Sequence, residues 1–156
     1  MSTSEMKIRH VQPQDLDGFV DLCEKHAAYE KLPFERTGQQ QRLQTALFGE
    51  QPKVYAWVVE TDDNQLVGYM SATIDFATWP AQPFVYMDCL YLEPATRGHG
   101  IGAKLMDILR QFGASKNCAE LQWHTPPDND LGIAFYRRIG ASEKPKLRFF
   151  IDSKSS

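Results

Sequence analysis

What this chain lacks constrains it before any motif is read. Only three of its 156 residues are cysteine, Cys23, Cys89 and Cys118. An odd, widely spaced set of this kind suggests neither a disulfide framework nor a C-x-x-C metal site. No group of His, Cys and carboxylate residues has metal-ligand spacing either, so no metal is expected. No apolar run approaches the roughly 18 residues that a membrane span requires. The opening stretch from Met1 to Met6 has neither the basic nor the apolar region of a signal peptide. A cytoplasmic protein with no membrane partner is therefore expected. An excess of positive charge is also missing: 17 Lys and Arg stand against 20 Asp and Glu, a net charge of −3. That balance disfavours nucleic acid and suits a cationic substrate. There is no repeat, low-complexity tract or linker-like stretch, and 42% of residues are hydrophobic, enough for one domain with its own core. Only Ser2–Ser4 and Ser153–Ser156 read as frayed ends.

What is present alternates between strand and helix. Residues 7–11 alternate as a short strand, and Pro13 leads into a helix whose inner face carries Leu16, Phe19, Val20, Leu22 and Cys23. That helix should end near Tyr29, where residues 31–34 break it. A second helix is predicted over Gln39–Phe48, closed by Gly49. Residues 53–61 and 65–76 read as strands of a hairpin turning at Asp62-Asp-Asn64, and residues 77–83 as a loop. A strand over Tyr86–Leu92 follows, then a glycine-rich loop and a helix with Ile101, Leu105, Ile108, Leu109 and Phe112 on one face. The remaining expectations are a strand over 120–124, a helix over 130–139 and a final strand over 146–151.

The glycine loop, Arg97-Gly-His-Gly-Ile-Gly102, carries the most chemistry. A loop of this kind at a helix N-terminus offers unpaired backbone N–H groups and the positive end of the helix dipole to an anion. Absent side chains at Gly98, Gly100 and Gly102 let the backbone approach a pyrophosphate, while Arg97 adds charge; His99 and Ile101 contribute main chain rather than side chain. A triphosphate loop would need G-x-x-x-x-G-K-[ST], but Ala103-Lys-Leu105 follows Gly102. Gly98-x-Gly100-x-x-Ala103 formally satisfies a dinucleotide fingerprint, with Glu120 at about the right distance, yet that motif belongs directly after the first strand. Here it comes late, and residues 93–97 intervene. The spacing that remains is [RQ]-x-x-G-x-[GA].

That spacing resembles the coenzyme A loop of the GNAT acyltransferases. Residues 88–102 look like the family's strand, loop and helix start, and Asn129 with Ile133-Ala-Phe-Tyr-Arg-Arg-Ile-Gly-Ala141 is similar to its later asparagine and [FY]-Y-x-[RK]-x-G segment. Ala28-Tyr-Glu30 and Phe135–Arg138 resemble the diamine, polyamine and thialysine enzymes. Thr78-Trp79, residues 88–92 and Leu121–Thr125 look closer to the branch acting on histones, polyamines or D-amino acids. The resemblance implies an α/β fold with a mixed, mostly antiparallel sheet flanked by helices, one N-acetyltransferase domain over 5–152, and acetyl-CoA as cosubstrate. It also implies roles for particular residues. Leu90 and Leu92 would pair with the pantetheine through their backbone, an N–H near Leu90 could polarise the acetyl carbonyl, and Asn129 would bond the coenzyme. Arg137 and Arg138 are candidates for its outer phosphate. Tyr29, Glu30 and Glu35 would border the acceptor, with Trp79 in the same pocket. The partner expected is a small-molecule amine, and a homodimer is the expected assembly.

The chemistry asks for two further groups. An alkylammonium of pKa about 10.4 must lose its proton before attack, at about 4.6 kcal/mol near neutral pH. Asp88, which the resemblance aligns with an acidic position facing the substrate channel, could hold the cation and relay that proton. An ordinary strand aspartate is a surface residue, and burying it unpaired would be costly. The leaving thiolate needs a hydrogen bond or a proton, and Tyr136, a phenol protonated at neutral pH, matches the family's thiol-facing tyrosine. Asn129 could equally cap the helix that follows it. His124 is a second candidate base; His10 and His26 suggest nothing specific. Alternatives left open are a lysine acetyltransferase acting on proteins or peptides, and a non-catalytic acyl-CoA sensor on the same fold.

Overall fold

A computed structural model describes residues 6–154. The ends expected to fray at Ser2–Ser4, and the last two serines, lie outside the described residues, as do the first five residues of the chain's opening stretch. Nine elements are described: β1 (Lys7–His10), α1 (Leu16–Tyr29), α2 (Gln39–Phe48), β2 (Tyr55–Glu60), β3 (Leu66–Ala77), β4 (Gln82–Leu92), α3 (Ile101–Ser115), β5 (Leu121–Trp123) and α4 (Asp130–Arg138). Short 3-10 turns at Pro13–Asp15 and Pro94–Thr96 lead out of β1 and β4. The chain divides into two compact units after His124.

The first unit holds one mixed sheet in the order β1-β2-β3-β4-β5. β1 to β4 pair antiparallel, and β5 runs parallel to β4. Successive strands are therefore neighbours: α1 and α2 connect β1 to β2, and turns join β2 to β3 and β3 to β4. Asn64 sits at φ 65° in the β2–β3 turn and Ala81 at φ 54° in the β3–β4 turn, left-handed backbone that closes tight hairpins. The β3–β4 ribbon is longer than the sequence suggests: residues expected as loop are paired as far as Ala77↔Gln82. Pro83 is tolerated there because it stands near the start of its strand.

β2 is buried throughout its centre, which requires cover on both faces. Ala56 and Val58 pack with Leu16, Phe19, Leu22 and Leu47 of α1 and α2. Trp57, on the other face, meets Phe112 of α3 edge-on at 5.2 Å. α3 directs Ile101, Leu105, Met106 and Leu109 inward at helical spacing. Arg9 ties β1 to the head of α1. Its guanidinium bonds Asp15 at 2.7 and 2.9 Å and Glu60 at 3.1 and 3.2 Å. The Asp15 carboxylate also accepts the Gln12 backbone N–H at 2.6 Å.

The second unit holds α4. The strand expected at 146–151 is not formed: the segment has no regular structure, and Leu147, Phe149, Phe150 and Ile151 are 79–96% exposed. The pattern of residues suits a strand, but such propensity is expressed only where a neighbouring ladder and a face to bury against exist.

Candidate active site

Register in β4 builds the first part of the site. Ser71 stands opposite Cys89 and Ala72 opposite Met87, so Asp88 is an extra residue, a β-bulge. The bulge reverses which residues turn their backbone toward which neighbour. Before it, Val85 donates its N–H to Glu120, toward β5. After it, Glu93 donates to Val67 of β3, so by antiparallel alternation Tyr91 and Cys89 also face β3. Leu90 and Leu92 then turn their N–H and C=O groups the other way, and the Leu92 carbonyl does accept a bond on that side, from Arg97 Nε at 2.9 Å. The described β4–β5 pairing ends at Met87↔Trp123. Beyond it, among the described residues, no strand of the first unit pairs with this edge of β4, the geometry needed to accept an extended amide chain as an added strand.

The glycine loop follows. Gly98 and Gly100 have φ of 80° and 81°, and a Cβ built on either meets no atom within 4 Å. Glycine is required there for backbone conformation rather than packing. Gly100 is the N-cap of α3 and no side chain caps the helix, whose first intrahelical bond is Lys104 N–H to Gly100 C=O. Ile101, Gly102 and Ala103 therefore begin the helix with N–H groups that have no intrahelical acceptor. A pyrophosphate fits this end in charge and in hydrogen-bonding sense. Arg97 is aimed elsewhere: its guanidinium lies 5.0 Å from the ring centre of Tyr29 and 5.6 Å from that of Tyr91.

Those two rings open the third part of the site, at the C-terminal end of α1. His26 stacks on Tyr91 at 5.2 Å, accepts or donates at Nδ1 with the Tyr69 hydroxyl at 2.7 Å, and meets Glu30 Oε2 through Nε2 at 2.9 Å. Burial holds the His26 ring below the ordinary imidazole range against the opposing pull of Glu30 and Asp88. Burial likewise pushes the Cys23 thiol up to about 11 and the Cys89 thiol up to about 12. Both thiols touch the Tyr69 hydroxyl and stay protonated near neutral pH. All three cysteines are free. Tyr29, Glu30 and Asp88 thus gather with Arg97 near one buried histidine. Asp88 itself is exposed and accepts the Cys89 thiol at 3.7 Å, so its burial cost does not arise.

The remaining expected residues make contacts of their own. Glu35 accepts the Thr37 backbone N–H at 2.9 Å, a local turn bond that holds its carboxyl below the usual range. Trp79 is 99% exposed in the β3–β4 turn. His124 meets the Tyr86 hydroxyl at 3.1 Å. In the second unit Asn129 caps α4, accepting the Gly132 N–H at 3.3 Å while donating to Thr125 at 2.8 Å. Tyr136 lies on that helix, beside Phe135 at 5.4 Å. Arg137 is held by a two-pronged bond to Glu143 at 2.8 and 2.9 Å. Sequence reasoning passed over His26. The available signal was its spacing four residues before Glu30, one helical turn.

An open strand edge followed by a glycine-started helix offers anchor points for an extended amide chain and for a pyrophosphate, as an acyl-CoA-dependent transferase requires. Residues 19–141 match the model of the Acetyltransferase (GNAT) family, and the chain belongs to that family. It is an N-acetyltransferase, and its cosubstrate is acetyl-CoA. Thialysine N-epsilon-acetyltransferase of Bos taurus is 26% identical over 87% of this chain and 84% of that protein. An aminoglycoside acetyltransferase from an uncultured soil metagenomic sample, crystallised with trehalose, superposes with a TM-score of 0.82 at 23% identity, covering 97% of this chain and 99% of that one. AAC(6')-Iy in complex with the bisubstrate analogue CoA-S-monomethyl-acetylneamine gives a TM-score of 0.77 at 18% identity, over 96% and 99% of the two chains.

Proposed function

We propose that the acceptor is a small cationic amine, a polyamine, diamine or lysine-like compound, and that residues 5–152 form the catalytic domain, whose first residue lies outside the described ones. The observation that carries this reading is the gathering of Glu30 and Asp88 with the rings of Tyr29 and Tyr91 where β4 opens. Carboxylates hold ammonium groups, and aromatic faces favour cations. The thialysine-directed relative is consistent with such an acceptor.

In this reading the main chain of Leu90 and Leu92 takes the pantetheine, and the loop from Arg97 to Gly102 takes the pyrophosphate. Acetyl-CoA supplies the activated acetyl group as a thioester. Asp88 and Glu30 bind the substrate's charges, and one of them accepts the proton of the reacting ammonium. Arg97, a fixed cation on the same rings, favours the neutral amine over the ammonium. Tyr136 donates to the departing sulfur, and Asn129 contributes near the coenzyme. A cytoplasmic homodimer belongs to the same reading; the exposed apolar run at 147–151 supports it, since a lone chain seldom leaves such a patch uncovered.

The test compares kcat/KM for a diamine, its monoamine analogue and a lysine-containing peptide, in the native enzyme and in Asp88→Asn. Exposed ion pairs are each worth about 1 kcal/mol or less, so a several-fold preference for the diamine, weakening with salt, is expected. Equal rates for diamine and monoamine together with a normal Asp88→Asn variant would overturn it. So would a strong preference for the peptide.

A further inference from the structure

We propose that His26 is a positioning residue: as a neutral imidazole pinned by the Tyr69 hydroxyl, it donates its Nε2–H to Glu30 and holds that carboxylate ready for the acceptor's ammonium group. The inference rests on the acceptor class proposed above.

Chemistry on the page fixes the direction of each bond. An ionised carboxylate only accepts, so the proton shared at 2.9 Å between His26 and Glu30 belongs to Nε2. A neutral ring then has a bare Nδ1, which accepts the Tyr69 O–H at 2.7 Å. The Tyr69 oxygen, its own O–H donated to His26, can accept from the thiols of Cys23 and Cys89. One chain of donors therefore runs from the buried sheet outward and ends on Glu30.

The place where it ends is unusual. Glu30 is the C-cap of α1, where unpaired carbonyls and the negative end of the helix dipole disfavour an anion. A carboxylate there needs a donor to hold it, and His26, one turn earlier, supplies one. His26 is 13% exposed and Glu30 26%, so the first is fixed by packing while the second still reaches solvent. The groups acting on the ring are Glu30 from α1, Tyr69 from β3, Asp88 and Tyr91 from β4, and Arg97 from the loop beyond, with the Cys23 and Cys89 thiols against Tyr69. Burial is the largest influence among them and keeps the ring neutral at neutral pH. Protonating Nδ1 in acid would make the ring a donor to Tyr69, turn the Tyr69 O–H away and reverse the chain.

Long-range proton–nitrogen NMR on the native protein reads the ring directly. The Nε2–H tautomer is expected at neutral pH, and an Nδ1–H tautomer would overturn the proposal. Kinetics then separate positioning from packing. His26→Leu is expected to raise KM for the best native amine about tenfold and leave KM for acetyl-CoA unchanged. His26→Gln, whose amide can still donate near the Nε2 position, should recover most of that loss and remove the His26 contribution from the acidic limb of the pH profile. In a Glu30→Gln background, His26→Leu should add almost nothing. An unchanged amine KM in His26→Leu, or equal losses in the two substrates that Gln fails to rescue, would overturn the proposal while leaving the acceptor reading intact. A native enzyme that prefers a monoamine, yet loses affinity for it in His26→Leu, would overturn the acceptor reading and support the positioning role.

Discussion

Tyr136 and Gly100 are tested by removing different things, a proton in one case and a backbone conformation in the other. Tyr136→Phe deletes only the phenolic O–H. If that group assists the leaving sulfur, kcat should fall about 10²- to 10⁴-fold with acetyl-CoA affinity unchanged, as read by pre-steady-state kinetics and calorimetry. Near-native kcat where chemistry limits turnover would show that the thiolate departs unaided. Gly100 stands at φ 81° with empty space around its Cβ position. Gly100→Val therefore meets no clash; it forces a β-branched residue into left-handed backbone, a strain of about 1–3 kcal/mol. The loop should relieve that strain by turning its N–H groups away, and acetyl-CoA should bind at least tenfold more weakly by calorimetry. Unchanged affinity would remove the loop from the coenzyme site.

At the level of elements, β4 carries the decisive detail, and it is the detail least legible in the sequence. Residues 86–92 read as a strand, and Asp88 stood out because charge mid-strand is unusual. That the charge marks an inserted residue could not be read from the strand alone, because a bulge is a mismatch of register between two strands. Deleting Asp88 should leave Leu90 and Leu92 facing away from β3 but remove the kink that a bulge puts into β4, straightening the strand along β5 and narrowing the open edge. The sheet should still form, with native-like circular dichroism, while acetyl-CoA binding falls more than for Asp88→Asn; equal binding in the two variants would argue against the open edge. The helices were plain from the start, since α1, α2 and α3 combine apolar spacing with Pro13, Gly49 and the glycine loop as punctuation. The strand expected at 146–151 failed for the converse reason, because alternation states what a segment can do and not whether a partner is there. Among the candidate residues, the glycines and Tyr136 were legible as motif. The meeting of His26, Tyr69 and Tyr91 was not, because it joins three elements far apart in the chain.

The molecule as a whole should lose stability to acid in two stages. Burial lowers the folded pKa of His26, so the unfolded chain takes up its proton first. Stability from the neutral ring is complete above about 6.5, the unfolded value, and declines as pH falls below it. Arg9 does the opposite for carboxylates. Its hydrogen bonds hold Asp15 and Glu60 below their usual range, so their contribution is complete above about 4.5 and is lost as pH falls through the depressed values. Melting temperature against pH should show both declines. His26→Gln should remove the first alone. Arg9→Leu should remove most of the second and cost about 1–3 kcal/mol at neutral pH, less than for a fully buried pair because the guanidinium remains partly exposed. A single decline, unaffected by His26→Gln, would show that the ring titrates without consequence for the fold.

The open edge of β4 also bears on how such a chain can drift. The groups that Leu90 and Leu92 turn outward are a peptide N–H and C=O, which every residue but proline carries alike. Exchanging either leucine for another apolar residue leaves those groups where they were, so this stretch of β4 tolerates side-chain replacement at both positions. The proposed acceptor half has no such freedom: if Glu30, Asp88 and His26 hold the amine, they do so through their side chains, one of them through a proton on a single ring nitrogen. Point substitutions should therefore alter which amine this enzyme takes long before they alter what it transfers.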